Sequence, residues 1–426
     1  MSRLSDIIYW FLHFCSRWML RILYPATEVD RLDHAEIKGP YILSGNHPNT
    51  LIDPLFVGIF LSRRLNFMAH AGLFQNKLMA RFLSFAGVVP IARAKDRAAG
   101  MQVDNDATFA KVHELLSGGN ILYIAPEGGS ELERKLRPLK SGLARLALQA
   151  EAQHDWQLGL QVLPAGVNYE SPSGAFSRAY VRYGKPIVVA DWKERFEKDP
   201  AIATRSFTRE VRERMENLLI HTRDKTEERT LRPLGRCLQN DRPLSVAHHH
   251  ERVRRLLTAL RALPAEDMAA LTQTAAAYEQ GLQAAGLNDL SLSNHPRKGY
   301  SPGLVLGFPI FLYGWINHWL LLGTVKLFER LTNILINYRT TLRGLAGVLF
   351  LPLFYWLQSW LIGRFFPGGW SWVYLFSLPV TGLFALAYWT TYKPAFAALH
   401  RSKDKAELLA LRAELRRATD RLLGEE

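Results

Sequence analysis

Cysteine is nearly missing: Cys15 and Cys237 are the only two in 426 residues, far apart and without a metal-ligand spacing. No disulfide framework is implied, and a reducing cytoplasmic face is the expected setting. Acidic residues are also scarce, 39 against 53 Lys plus Arg, which leaves a formal net charge of +14. That balance suits a surface that meets polyanions, either nucleic acid or anionic lipid. Long uncharged runs rich in Trp, Phe and Leu gather near the C-terminus. They favour membrane lipid as the partner and exclude nucleic acid. Internal repeats and low-complexity segments are missing as well.

What is present divides the chain by pattern. Residues 1–24 hold "DIIYWFLHFCSRWMLRILY", apolar and aromatic but carrying Arg17 and Arg21 and followed by no small-residue cleavage site. The stretch predicts an interfacial amphipathic helix rather than a signal peptide. Over 25–198, the short apolar runs "YILSG", "LNFMAHA", "NILYIAP", "LQVLPAGVNY" and "AYVRYGKPI" alternate with helical stretches such as "DATFAKVHELLSGG" and "GLARLALQAEAQ". This predicts an α/β domain with a mixed, mostly parallel sheet flanked by helices. Residues 199–298 are charged and helical in pattern, broken near Pro233 and Pro243. Three adjacent histidines, His248 to His250, sit there; on a helix they point in different directions, and no metal site is expected.

Residues 303–392 predict a membrane region, and 393–426 a cytoplasmic helical tail. Segments 303–324, 345–363 and 370–392 contain no Asp, Glu, Lys or Arg, and each approaches the roughly 20 residues that cross a bilayer. Basic residues decide the arrangement. Lys326, Arg330, Arg339 and Arg343 precede the second segment, Lys393, Arg401, Lys403 and Lys405 follow the third, and only Arg364 lies between those two. The positive-inside rule makes 345–363 and 370–392 a hairpin with both ends cytoplasmic. The first segment, interrupted by Gly307, Pro309 and Gly314, is then re-entrant or in-plane, with three plain spans as the alternative. The expected location is an inner or cytoplasmic membrane with the active site facing the cytoplasm.

The chemistry concentrates where "YILSGNHPNTLIDPLFVG" breaks from an apolar run into His47, with Asp53 six positions on. Downstream come "GVVPIAR" from Gly87, "APEGGSELERKLRPLKSG" from Ala125 and "VLPAGVNY" from Val162. In this order, over roughly residues 42–187, they resemble the blocks of the glycerolipid acyltransferases, a membrane-associated family that acylates glycerol-3-phosphate, dihydroxyacetone phosphate or lysophosphatidate. The resemblance implies that His47 is the catalytic histidine and Asp53 its acidic partner. It matches Gly87 and Arg93 to the second block, where the arginine is associated with the acceptor's phosphate, Glu127 and Gly128 to the third, and Pro164 to the fourth.

Two departures stand out. Five residues separate His47 from Asp53, one more than is commonest in the family, and Gly129 and Ser130 stand where the third block usually continues Thr-Arg. Both features are similar to the fungal glycerol-3-phosphate and dihydroxyacetone-phosphate acyltransferases, which shifts the expected acceptor toward the first acylation step.

Physical chemistry supports this assignment independently. Acyl transfer to an alcohol needs a base near neutrality, and an imidazole held by a carboxylate supplies one. The acceptor's own hydroxyl attacks, so no Gly-x-Ser-x-Gly nucleophile is required. Arg93 offers a bidentate fork for phosphate, with Lys140, Arg134, Lys135 and Arg137 adding positive charge near the third block. Gly128 and Gly129 allow close backbone approach to a ligand. No metal or cofactor is expected; the activated donor is acyl-CoA, acyl carrier protein or acyl phosphate. Two alternatives remain: an acyl-thioester hydrolase, and a catalytically degenerate membrane scaffold.

Overall fold

The computed structural model describes residues 3–91, 105–172, 174, 176–241, 244–294, 301–331, 335–399 and 405–425. These form two compact units, Met1–His221 with Leu335–Leu342, and Thr222–Ile334 with Arg343–Glu426.

The first unit is built on a mixed, mostly parallel sheet of eight strands. They are β1 (Ala26–Asp30), β2 (Tyr41–Gly45), β3 (Leu65–His70), β4 (Val88–Ile91), β5 (Ile121–Ile124), β6 (Gln161–Tyr169), β7 (Arg178–Tyr183) and β8 (Ile187–Val188). Their order is β1-β7-β6-β2-β5-β3-β4, with β8 paired to β6 beside β7's stretch. Among the described residues, only the β6–β7 and β6–β8 pairs are antiparallel. All five residues of β2 are buried, which explains its continuous apolar reading: a central strand covered on both faces has no polar side to alternate with. On one face, Ile42, Leu122 and Val162 pack in a cluster with Leu143, Leu146 and Ala147 of helix Gly142–Ala152 and with Phe207, Val211 and Met215 of helix Pro200–Glu216.

Helix α1 (Arg3–Leu23) buries Tyr9, Leu20 and Leu23 and exposes Leu4, Ile7, Trp10, Phe11, Phe14 and Trp18. Helix α2 (Ile52–Gly58) follows β2 across a short loop and starts with Asp53 in its first turn, where the helix dipole favours a carboxylate.

The second unit is helical. Its buried polar centre is Asp289, whose carboxylate accepts the Tyr278 hydroxyl at 2.6 Å, Asn240 Nδ2 at 2.8 Å and Arg412 Nε at 2.9 Å. Burial opposes the charge on Asp289, but Arg412 together with the Tyr278 and Asn240 donors holds the carboxyl below its ordinary range. Two helical stretches, Ile336–Phe365 and Trp370–Ala397, are long and apolar enough to cross a membrane.

Candidate active site

Two neighbouring parallel strands bring the site together. β2 pairs with β5 so that Ser44 lies opposite Ile124. His47 and Glu127 each follow by three residues, and both therefore emerge at the carboxyl ends of adjacent strands, the usual ligand edge of such sheets. β2 must pass under Tyr123 to get there: a Cβ on Gly45 would stand 2.8 Å from that ring. Only glycine leaves room for the ring at this point. Asn46 then anchors the chain by exchanging two hydrogen bonds with Val167 of β6, Nδ2 to the carbonyl at 3.0 Å and Oδ1 from the N–H at 2.8 Å.

The loop folds back so that His47 Nδ1 donates to Asp53 Oδ2 at 3.1 Å. Asp53 is fully buried and accepts two further bonds, from the Asn49 N–H at 2.6 Å and the Tyr169 hydroxyl at 2.7 Å. Burial pushes its carboxyl above the ordinary range, while the bonds from His47, Tyr169 and Asn49 pull it back. Burial and the Asp53 charge drive the Tyr169 phenol well above its usual value, so it stays a donor. With Nδ1 committed to Asp53, Nε2 is the nitrogen left for acid–base work.

Glu127 is buried. Its Oε1 accepts the His47 backbone N–H at 2.8 Å and its Oε2 the Arg137 N–H at 2.9 Å. Beside it, the Arg137 guanidinium lies against Gly129, where an added Cβ would sit 3.3 Å from Nη1. Nη1 pairs with Glu131 at 3.1 Å, whereas Nη2 is buried with no hydrogen-bond partner among the described residues. Arg212 fixes this loop from below through the carbonyls of Arg137 and Leu136. Gly128 closes a tight turn onto Ala125, and a Cβ added to it would stand 3.6 Å from Lys140 Cγ.

Among the residues singled out by sequence, His47, Asp53, Glu127, Gly128, Gly129 and Lys140 gather here. Two do not. Gly87 stands before the first residue of β4, at the opposite end of the sheet, where φ is +80° and Asn66 fills the space a side chain would take. Pro164 is inside β6, opposite Ser44, with its carbonyl accepting the Gly184 N–H at 2.8 Å. Arg93 lies outside the described residues.

Sequence reasoning passed over Asn46, Asn49 and Tyr169. Tyr169 closes the fourth block and could have been weighed as a phenol donor; the two asparagines carry no signal beyond their place beside the histidine.

Residues 26–168 match the family model described as Acyltransferase. Glycerol-3-phosphate O-acyltransferase 1 of Saccharomyces cerevisiae is 38% identical over 88 residues, which are 21% of this chain and 12% of that protein. An uncharacterized acyltransferase of Schizosaccharomyces pombe is 36% identical over 88 residues, 21% of this chain and 13% of its own length. The alignments thus span only about an eighth of these relatives. The crystal structure of the 1-acyl-sn-glycerophosphate acyltransferase of Thermotoga maritima aligns with 51% of this chain and 82% of its own, at 14% identity and a TM-score of 0.36. Residues 26–168 are accordingly a domain of the Acyltransferase family.

Proposed function

We propose that the protein is a membrane-bound O-acyltransferase that moves a fatty acyl group from an activated donor to a hydroxyl of glycerol-3-phosphate or lysophosphatidate. The observation that carries this reading is the 3.1 Å contact between His47 Nδ1 and a fully buried Asp53. Asp53 holds the imidazole with Nδ1 protonated and Nε2 bare. Nε2 takes the acceptor's hydroxyl proton as the oxygen attacks the acyl carbonyl; the bond from carbonyl carbon to the donor's leaving group breaks, and the imidazolium returns the proton to that group. No residue of the chain is acylated, and no metal or cofactor is required.

Arg93 is the proposed phosphate ligand, with Lys140 and Arg137 adding charge and Gly128 and Gly129 offering close backbone approach. The fungal relative's name supports glycerol-3-phosphate as the acceptor. The two apolar helices support a membrane location, the basic residues that flank them in sequence are the ground for a cytoplasmic site, and the exposed aromatic face of α1 suits a lipid surface.

Purified protein given labelled acyl-CoA, acyl carrier protein thioester or acyl phosphate should acylate one of glycerol-3-phosphate, dihydroxyacetone phosphate and lysophosphatidate. Release of free fatty acid at a rate indifferent to every acceptor would make it a hydrolase instead, and no turnover with any donor would make it a scaffold.

A further inference from the structure

The loop between His47 and Asp53 is tied from far along the chain. Thr50 sits at its apex with φ 45°, a left-handed conformation that a β-branched residue adopts only when its surroundings dictate it. Those surroundings are specific. The Thr50 N–H donates to Ser130 Oγ at 3.1 Å. The Thr50 hydroxyl donates to the Asn337 carbonyl at 3.2 Å and stands 2.8 Å from Thr341 Oγ1, 287 and 291 residues further on. Asn337 Nδ2 donates to the Ser130 carbonyl at 3.1 Å. On the other flank, the buried Thr340 hydroxyl donates to the Pro172 carbonyl at 2.9 Å, the oxygen that also takes Asn49 Nδ2 at 2.8 Å and the Tyr24 hydroxyl at 2.9 Å.

Resting on the acyl-transfer reading, we propose that Asn337, Thr340 and Thr341 are positioning residues for the His47–Asp53 pair. Asn49 gives its N–H to Asp53 Oδ2 and its side chain to Pro172, and Thr50 follows it directly. Any drift of this apex moves Asp53's donor and, through Asp53, the imidazole. The strap from 335 to 342 belongs to the same compact unit as the loop, and its last residues are the first turn of helix Arg339–Phe365. The five-residue spacing between His47 and Asp53 thereby gains a purpose: Thr50 is the residue that reaches the strap.

The test uses the full-length chain with Thr341→Val, which keeps the shape and loses the hydroxyl, Asn337→Ala as a second route, and Thr341→Ser as the rescue. Expected for the first two is a kcat lower by about 10-fold with KM for donor and acceptor within about twofold, and recovery in Thr341→Ser. Hydrogen exchange by mass spectrometry should be faster in the peptide spanning residues 46–53 and unchanged in β2 and β5. Unchanged exchange in that peptide, or an unchanged kcat in both variants, overturns the proposal. A wild type that transfers no acyl group sinks the functional reading instead, and the exchange result then judges the strap by itself.

Discussion

Glu127 serves His47 through the main chain and not through the ring: Oε1 accepts the His47 backbone N–H while Oε2 accepts that of Arg137. One carboxylate thus holds the two loops that follow β2 and β5. A glutamine can satisfy only one of these donors, because its amide nitrogen would face the other. Glu127→Gln should cost about 1–3 kcal/mol of stability and lower kcat on the order of 10-fold, measured by thermal unfolding and steady-state transfer. A variant with wild-type kcat would show that His47 is placed without this clamp.

Removing the base is expected to be more severe. His47→Ala should lower turnover by about 10²–10⁴ while the fold persists. Asp53→Asn should also impair transfer, since its amide nitrogen must face either the Asn49 N–H and His47 Nδ1 or the Tyr169 hydroxyl, and the carboxylate that fixes the tautomer is lost. Tyr169→Phe leaves Asp53 Oδ1 without its 2.7 Å partner and should destabilise by about 1–3 kcal/mol. Near-normal acyl transfer by His47→Ala would overturn the mechanism.

Arg93 is the proposed ligand of the acceptor's phosphate. Arg93→Ala should raise the acceptor's KM and leave the donor's unchanged, and Arg93→Lys should recover only part, because a point charge does not reproduce a bidentate fork. A change confined to the donor's KM would assign the residue to the other substrate.

The strands that frame the site were legible because burial on both faces writes itself as an apolar run: "YILSG" is β2 and "LQVLPAGVNY" contains β6. "AYVRYGKPI" spans most of β7 and the start of β8. β1 was not legible. Only Ala26 and Val29 are apolar in it, and an edge strand paired on one side, to β7, can afford such a sequence. His47, Asp53 and Glu127 could be named because they sit in blocks with recognisable spacing. The ties at Asn46, Asn49 and Thr50 could not, since Val167, Pro172, Asn337 and Thr341 meet them only after the sheet has formed. Gly87 shows the opposite case: it shares a block with Arg93, yet the length of β4 carries it to the far end of the sheet.

Cys237 offers a test of the second unit. Burial, and then the neighbouring Asp289 carboxylate at 3.3 Å, push its thiol pKa up. Thiolate is the reactive form, so the folded protein should gain no reactivity at Cys237 as pH rises from neutral through the range where a free thiol ionises. In a Cys15→Ala background, a chromogenic disulfide reagent at mildly alkaline pH should react only after denaturant opens the helices. Rapid labelling of the native protein would mean that the Asp289 centre opens readily.

The proposed membrane arrangement rests on charge. Helical stretches Ile336–Phe365 and Trp370–Ala397 are joined by a turn in which Gly368 and Gly369 adopt positive φ, a connection short enough to return the chain to the side it came from. Lys326, Arg330, Arg339 and Arg343 precede this pair and Lys393, Arg401, Lys403 and Lys405 follow it, against a lone Arg364 near the turn. The positive-inside rule predicts both basic ends in the cytoplasm, the side on which the proposed reaction would meet soluble phosphorylated acceptors and activated acyl donors. Cysteines placed singly at Gly368 and at Ser402, in a background lacking Cys15 and Cys237, can be probed in intact cells with a membrane-impermeant thiol reagent. Labelling at Gly368 alone is expected; labelling at Ser402 would mean that the chain crosses the membrane an odd number of times and exports its tail.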